Sequence, residues 1–200
     1  CLLNEIDTYE DNMYDIVMRT SAKLAERKKY FQLIPYDFLK LTYPLYKKDL
    51  VLYLSRKFSI EPLMVYSIIR EESHFRPDAM SQAGAFGLMQ LMEPTAKYIY
   101  DKKKLSKYFE FNMKDEVLNL QIGIQYFSDL LAYYDNNYIY ALAAYNGGRG
   151  NVDKWIKKYK GSILDFVLFI PFDQTERYVK KVLKTYYIYT CLYGDKVFQD

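Results

Sequence analysis

A mainly α fold follows from three features of the 200-residue chain. All eight glycines lie at or after Gly84, three of them within Gly147-Gly148-Arg149-Gly150, so the stretch before Gly84 carries none to break a helix. Apolar residues recur at helical spacing through most segments. The period-two alternation that a half-buried strand needs is almost absent. Six or more helices packed around one core are the expected architecture.

The elements follow in order. Ile6, Tyr9, Met13, Ile16, Val17 and Met18 sit at helical spacing in a segment running to about Lys28, with acidic residues early and Arg27, Lys28 and Lys29 late, as the helix dipole favours. Pro35 and Pro44 mark the next stretch as a connector. A second helix is expected over 46–58. Glu61-Pro62 then opens a third, because proline is accepted in a first helical turn, and Pro77 stops it beyond Ser73. The region from His74 to Met92, with proline, aspartate, serine and two glycines, reads as a long loop or small hairpin. Further helices are expected at 93–105, 115–134, 137–145, 150–159 and 173–193, and 160–172 receives no element. There is no internal repeat and no low-complexity linker.

Composition excludes several functions. The chain is 50% hydrophobic and 18% aromatic, with 23 tyrosines, which no disordered segment would carry. No run approaches the roughly 18 apolar residues of a membrane span. The formal charge of +3 is spread over both signs and forms no basic stripe, so nucleic acid is not an expected partner. Two cysteines, Cys1 and Cys191, give neither a disulfide framework nor metal-ligand spacing, and the single His74 precludes a histidine-rich site. The expectation is no metal and no cofactor. Cys1 in first position suits a mature bacterial lipoprotein, which begins at a lipid-bearing cysteine, as well as it suits an arbitrary cut.

One helix carries a chemical signal. Val65, Ile68, Ile69 and Glu72 stand at i, i+3, i+4 and i+7, which puts a carboxylate on an apolar stripe. Burial raises a carboxyl pKa, and a carboxylic acid still protonated near neutrality can act as a general acid. The same spacing also fits a glutamate at a frayed helix end or one paired with a lysine. Glu71, about 100° round the helix with Met64 and Ser67, is expected to face solvent.

Three short motifs then appear in order: Glu72-Ser73, Gly87-Leu88-Met89-Gln90, and Ala143-Ala144-Tyr145-Asn146. Together with Tyr43-Pro44-Leu45-Tyr46, Ser81 to Met92, Asn119 to Leu131 and Asn151 to Trp155, they resemble the lytic transglycosylase family over about Tyr43 to Tyr193. The resemblance divides the chain into an N-terminal helical extension, 1–42, and a lysozyme-like catalytic domain, 43–200, mainly α or α+β, with a cleft-lining loop or small hairpin. It implies a monomeric enzyme of the bacterial periplasm or envelope, free or anchored through Cys1, acting on peptidoglycan glycan strands. Members of the family break the MurNAc-GlcNAc bond without water and leave 1,6-anhydro-N-acetylmuramic acid ends. On that reading Glu72 is the catalytic residue, first acid and then base.

The resemblance also assigns substrate-binding positions. Ser81 and Gln90 match cleft-facing sites, Met92 an apolar contact to a sugar or acetyl group, and Tyr145 a phenol that orients Glu72 or the acetamido group. Asn146 fixes the turn into Gly147. Taken singly, Met92 suits a core and Asn146 a turn, whereas Gln90 and Tyr145 suit function. Gln174 stands where the family motif has glutamate: it keeps the size and acceptor oxygen to bind substrate as an amide, and any second carboxylate contribution would fall to Asp173 or Glu176. Two alternatives remain: a hydrolytic muramidase, which needs a second carboxylate, and a non-catalytic glycan-binding or scaffold domain.

Overall fold

A computed structural model describes residues 36–108 and 110–194. The expected opening helix, the anchor at Cys1 and most of the 1–42 extension lie outside the described residues. Among those residues are nine α-helices and no strand, so the fold is mainly α. They are α1 (Tyr36–Thr42), α2 (Lys48–Phe58), α3 (Pro62–Ser73), α4 (Glu93–Lys102), α5 (Glu116–Tyr133), α6 (Tyr138–Gly147), α7 (Arg149–Lys158), α8 (Ile163–Phe169) and α9 (Asp173–Tyr193). A short 3-10 turn, Leu105–Lys107, follows α4. No described helix is long and apolar enough to cross a membrane.

The central helix is α3. Glu61 caps it, its carboxylate accepting the Met64 N–H at 2.7 Å, and Pro62 occupies the first turn as expected. Val65, Ile68 and Ile69 are buried, and so are Met64, Tyr66 and Ser67 on the other sides. A helix apolar all round is covered all round. The cover comes chiefly from α9, with α2 on another flank, while α6 links α9 to α5 and α7.

That burial corrects one expectation. Glu71 does not face solvent, because α9 covers the face it shares with Met64 and Ser67. Its Oε1 accepts from Arg70 Nη1 at 2.7 Å and from Thr185 Oγ1 of α9 at 2.6 Å. Arg70 in turn donates through Nε to the Thr42 carbonyl and lies over the Tyr43 ring, 4.2 Å from its centroid.

Two helices were not legible in the periodicity. The stretch between Pro35 and Pro44 forms α1: the prolines bracket the helix instead of interrupting it, and Arg70 satisfies its final carbonyl. The second, α8, is almost wholly apolar and too short to show a period. Ser162 caps it by accepting the Asp165 N–H at 3.2 Å, and Phe166 and Val167 are buried.

The loop from His74 to Met92 folds as turns joined by two antiparallel bridges, Met80 with Phe86 and Phe86 with Leu91. The expected hairpin is reduced to these contacts, and α5 holds the loop in place. Asn119, fully buried, donates from Nδ2 to the Phe86 carbonyl at 3.1 Å and accepts the Met89 N–H at 3.0 Å. Gly87, at φ +79°, brings the backbone so near that a Cβ there would lie 2.3 Å from Asn119 Nδ2. One turn along α5, a Cβ on Gly123 would meet the Met89 side chain at 2.5 Å.

Candidate active site

Glu72 lies in the last turn of α3, just before the chain reverses through His74 and Phe75, which both adopt positive φ. It opens into a pocket of about 240 Å³ that it shares with Glu71. The end of α6 contributes Asn146, and the first three turns of α9 contribute Gln174, Arg177, Tyr178 and Lys181. Three helix ends therefore meet at one carboxyl group.

Burial is the main force on that group. It pushes the Glu72 carboxyl up to about 7, with the neighbouring Glu71 charge adding to the rise and the Tyr178 hydroxyl working against it. The group is therefore largely protonated just below neutrality and ionised just above, the condition for giving and retaking a proton in one cycle. Tyr178 is buried and its hydroxyl stands beside Glu72, yet makes no hydrogen bond of good geometry. A buried donor left unmade next to a carboxyl is costly unless the carboxyl, or what binds it, uses it.

The second carboxylate differs in kind. Glu71 is committed to Arg70 and Thr185, with 9% of its side chain exposed. Asp173 and Glu176 do not line the pocket, and Glu176 pairs with Lys180 along the outer face of α9. Neither takes over the charge that Gln174 lacks.

The sequence-predicted residues divide into two groups. Glu72, Asn146 and Gln174 come together in the pocket. Asn146 also ties α6 to α9, its Oδ1 accepting from Thr175 Oγ1 at 2.9 Å. Burial first, and then the nearby Glu72 charge, keep the Tyr145 phenol protonated, and its hydroxyl donates to the Met89 carbonyl at 2.8 Å. It pins the loop and does not donate to Glu72.

Ser81, Gln90 and Met92 do not line this pocket. Ser81 Oγ accepts the Ala85 N–H at 2.9 Å, closing a turn. The Gln90 amide donates to the Ala79 and Gly87 carbonyls, both at 2.9 Å, and so braces the loop. Met92 is not core: it is 42% exposed and precedes α4. Met80 and Glu93, beside Ser81 and Met92 in sequence, line a second groove of about 410 Å³ with Phe86, Phe111, Met113 and Lys114. That groove is larger, but the perturbed acid is in the smaller pocket, and the chemistry decides between them. Among the described residues no three of histidine, cysteine, aspartate and glutamate gather to hold a metal.

The sequence reading gave no role to Tyr178, Arg177 or Lys181. The signal was there: with Gln174 they stand at i, i+3, i+4 and i+7, one face of α9.

Comparison with known proteins identifies the family and the fold. Residues 49–164 match the Transglycosylase SLT domain family. The soluble lytic murein transglycosylase of Escherichia coli is 34% identical over 164 residues, 80% of this chain and 25% of that protein. The crystal structure of the 70 kDa soluble lytic transglycosylase from Escherichia coli superposes with a TM-score of 0.78 at 30% identity, covering 95% of this chain and 30% of that one. An inactive glutamate-to-glutamine mutant of lytic transglycosylase Slt from Pseudomonas aeruginosa gives 0.73 at 28% identity, covering 87% and 30%. The chain thus spans about a third or less of the length of these relatives.

Proposed function

Because the chain belongs to the Transglycosylase SLT domain family, we propose that it is a lytic murein transglycosylase that cleaves peptidoglycan glycan strands in the bacterial envelope without water. Residues 43–200 are its catalytic domain and 1–42 an extension of it. The observation that carries this reading is the Glu72 carboxyl, raised to about 7 in a pocket whose other carboxylate, Glu71, already accepts from Arg70 and Thr185 through Oε1.

Glu72 begins protonated and gives its proton to the glycosidic oxygen between MurNAc and GlcNAc. As that bond breaks, the acetamido group of the muramic acid stabilises positive charge at its anomeric carbon. Glu72, now a carboxylate beside the Tyr178 hydroxyl, takes the proton from the 6-hydroxyl of the same sugar. The freed oxygen bonds to the anomeric carbon and closes a 1,6-anhydro ring. Glu72 ends protonated, as it began.

A hydrolase on this fold would need a second carboxylate to hold a water or form a covalent bond. Glu71 is a poor candidate, since its Oε1 already accepts from Arg70 and Thr185. Ser81, Gln90, Met92 and Tyr145 are read as substrate-side residues in this scheme. Ser81 and Gln90 shape the loop from within, Tyr145 ties it to α6, and Met92 offers an exposed thioether to an acetyl or sugar face.

The test is digestion of purified peptidoglycan by the wild-type chain and by Glu72→Gln, with released muropeptides weighed by mass spectrometry. Products lighter by one water than hydrolysis products, and lost in the variant, are expected. Reducing-end products would replace this reading with a muramidase, and glycan binding without release by either protein would replace it with a binding module.

A further inference from the structure

Charge is unevenly placed around the Glu72 pocket. Of the acids around it, Glu71 is held by Arg70 and Thr185 and Glu176 by Lys180, while Asp173 is exposed outside the pocket and offers Arg177 only its backbone carbonyl. The cations on the α9 face are not held in this way. Arg177 and Lys181 line the pocket one turn apart, are exposed, and make no ion pair among the described residues. Arg177 uses only Nε, donating to the Asp173 carbonyl at 3.1 Å. Gln174 completes the stripe with an uncharged amide at i−3 from Arg177, where a glutamate would have supplied a partner. In the turn after α3, burial first and then the charges of Arg70, Arg76 and Lys181, with Glu71 opposing, hold the His74 imidazole below its ordinary range.

A guanidinium with its outer nitrogens open, and an ammonium one helical turn away, make a receptor for a carboxylate. On the function proposed above, the substrate carries one on the reacting sugar: the acid of its C3 ether side chain, either as the bare lactyl group or on the peptide attached there. We propose that Arg177 and Lys181, left unneutralised by Gln174, bind the carboxylate of the muramyl C3 substituent and make the enzyme select acidic glycan. This rests on the transglycosylase reading and deepens it, because it names a substrate feature and the residues that recognise it.

The test compares three forms of one glycan: peptide-bearing, the same material with its carboxylates amidated by carbodiimide and ammonia, and glycan stripped of peptide so that only the lactyl acid remains. The wild-type chain is expected to show kcat/KM about tenfold higher on the peptide-bearing than on the amidated form, as one charge-assisted contact would give. Arg177→Gln/Lys181→Gln should bring that ratio to about one. Stripped glycan turned over like the peptide-bearing form shows that either the lactyl or a peptide carboxylate fills the site, and like the amidated form, that only the peptide's does. A wild-type ratio of one, or a ratio unchanged in the variant, overturns the proposal. A calorimetric titration with N-acetylmuramyl-L-alanyl-D-isoglutamate and with its amide decides the point even where nothing is cleaved. Tighter binding of the acid, lost in the variant, upholds the carboxylate site when the transglycosylase reading fails, and equal binding of both refutes it.

Discussion

Replacing Glu72 by glutamine should stabilise the protein, and by an amount that depends on pH. The carboxyl moves from its ordinary 4.5 to about 7 on folding, chiefly because burial penalises the charge. Between those values the native state keeps a proton that the unfolded chain has released, so native stability falls as pH rises through that window and stays lowered above it. At 1.36 kcal/mol for each tenfold change in proton affinity, the full cost is about 3 kcal/mol. Glutamine keeps the size and an acceptor oxygen but does not titrate. The variant should therefore match the wild type near about pH 4 and exceed it by up to about 3 kcal/mol near about pH 8. Urea unfolding at several pH values measures this, with the m-value as a check that the unfolded state is unchanged. A difference that does not vary with pH would refute the argument, since Glu72 would then fold without a change in its proton affinity.

Three other substitutions probe the site and its support. Tyr178→Phe removes a buried hydroxyl that favours the ionised Glu72. Stability should change by less than about 1 kcal/mol, and the alkaline limb of the pH–activity profile should move upward. Asn119→Ala leaves the Phe86 carbonyl and the Met89 N–H without their partner. Chemical denaturation should show a loss of about 2–4 kcal/mol, and activity should fall as the loop loosens. Glu71→Gln strips Arg70 of its ion pair in a mostly buried setting. It should cost about 2–3 kcal/mol and move the alkaline limb downward, because the charge that helps hold Glu72 protonated is gone.

What the sequence revealed depended on whether the signal was local. Glu61-Pro62 is a local start signal, and α3 begins there with the expected proline in its first turn. The i, i+3, i+4, i+7 stripe ending in Glu72 is local too, and it placed the acid in a buried turn. Glu71 was misread because an amphipathic rule assumes one wet face, and the face that α9 covers cannot be seen from α3 alone. The stretch 36–42 was hidden by bracketing prolines, and α8 by the absence of polar residues to set a period. The site itself is a meeting of α3, α6 and α9, and periodicity within one helix does not report where another will cross. Gln90 and Tyr145 belong to the same lesson: their residue types suit a sugar cleft, but the Gln90 amide braces the loop internally and the Tyr145 hydroxyl ties it to α6.

The central claim is that one carboxyl performs the whole cleavage and water takes no part. Digesting peptidoglycan in heavy-oxygen water and weighing the released muropeptides addresses it directly. The account predicts anhydro products with no heavy oxygen, at a rate that collapses in Glu72→Gln. Heavy oxygen at the muramic acid reducing end would contradict it, and would require a second carboxylate to have been freed from its partners.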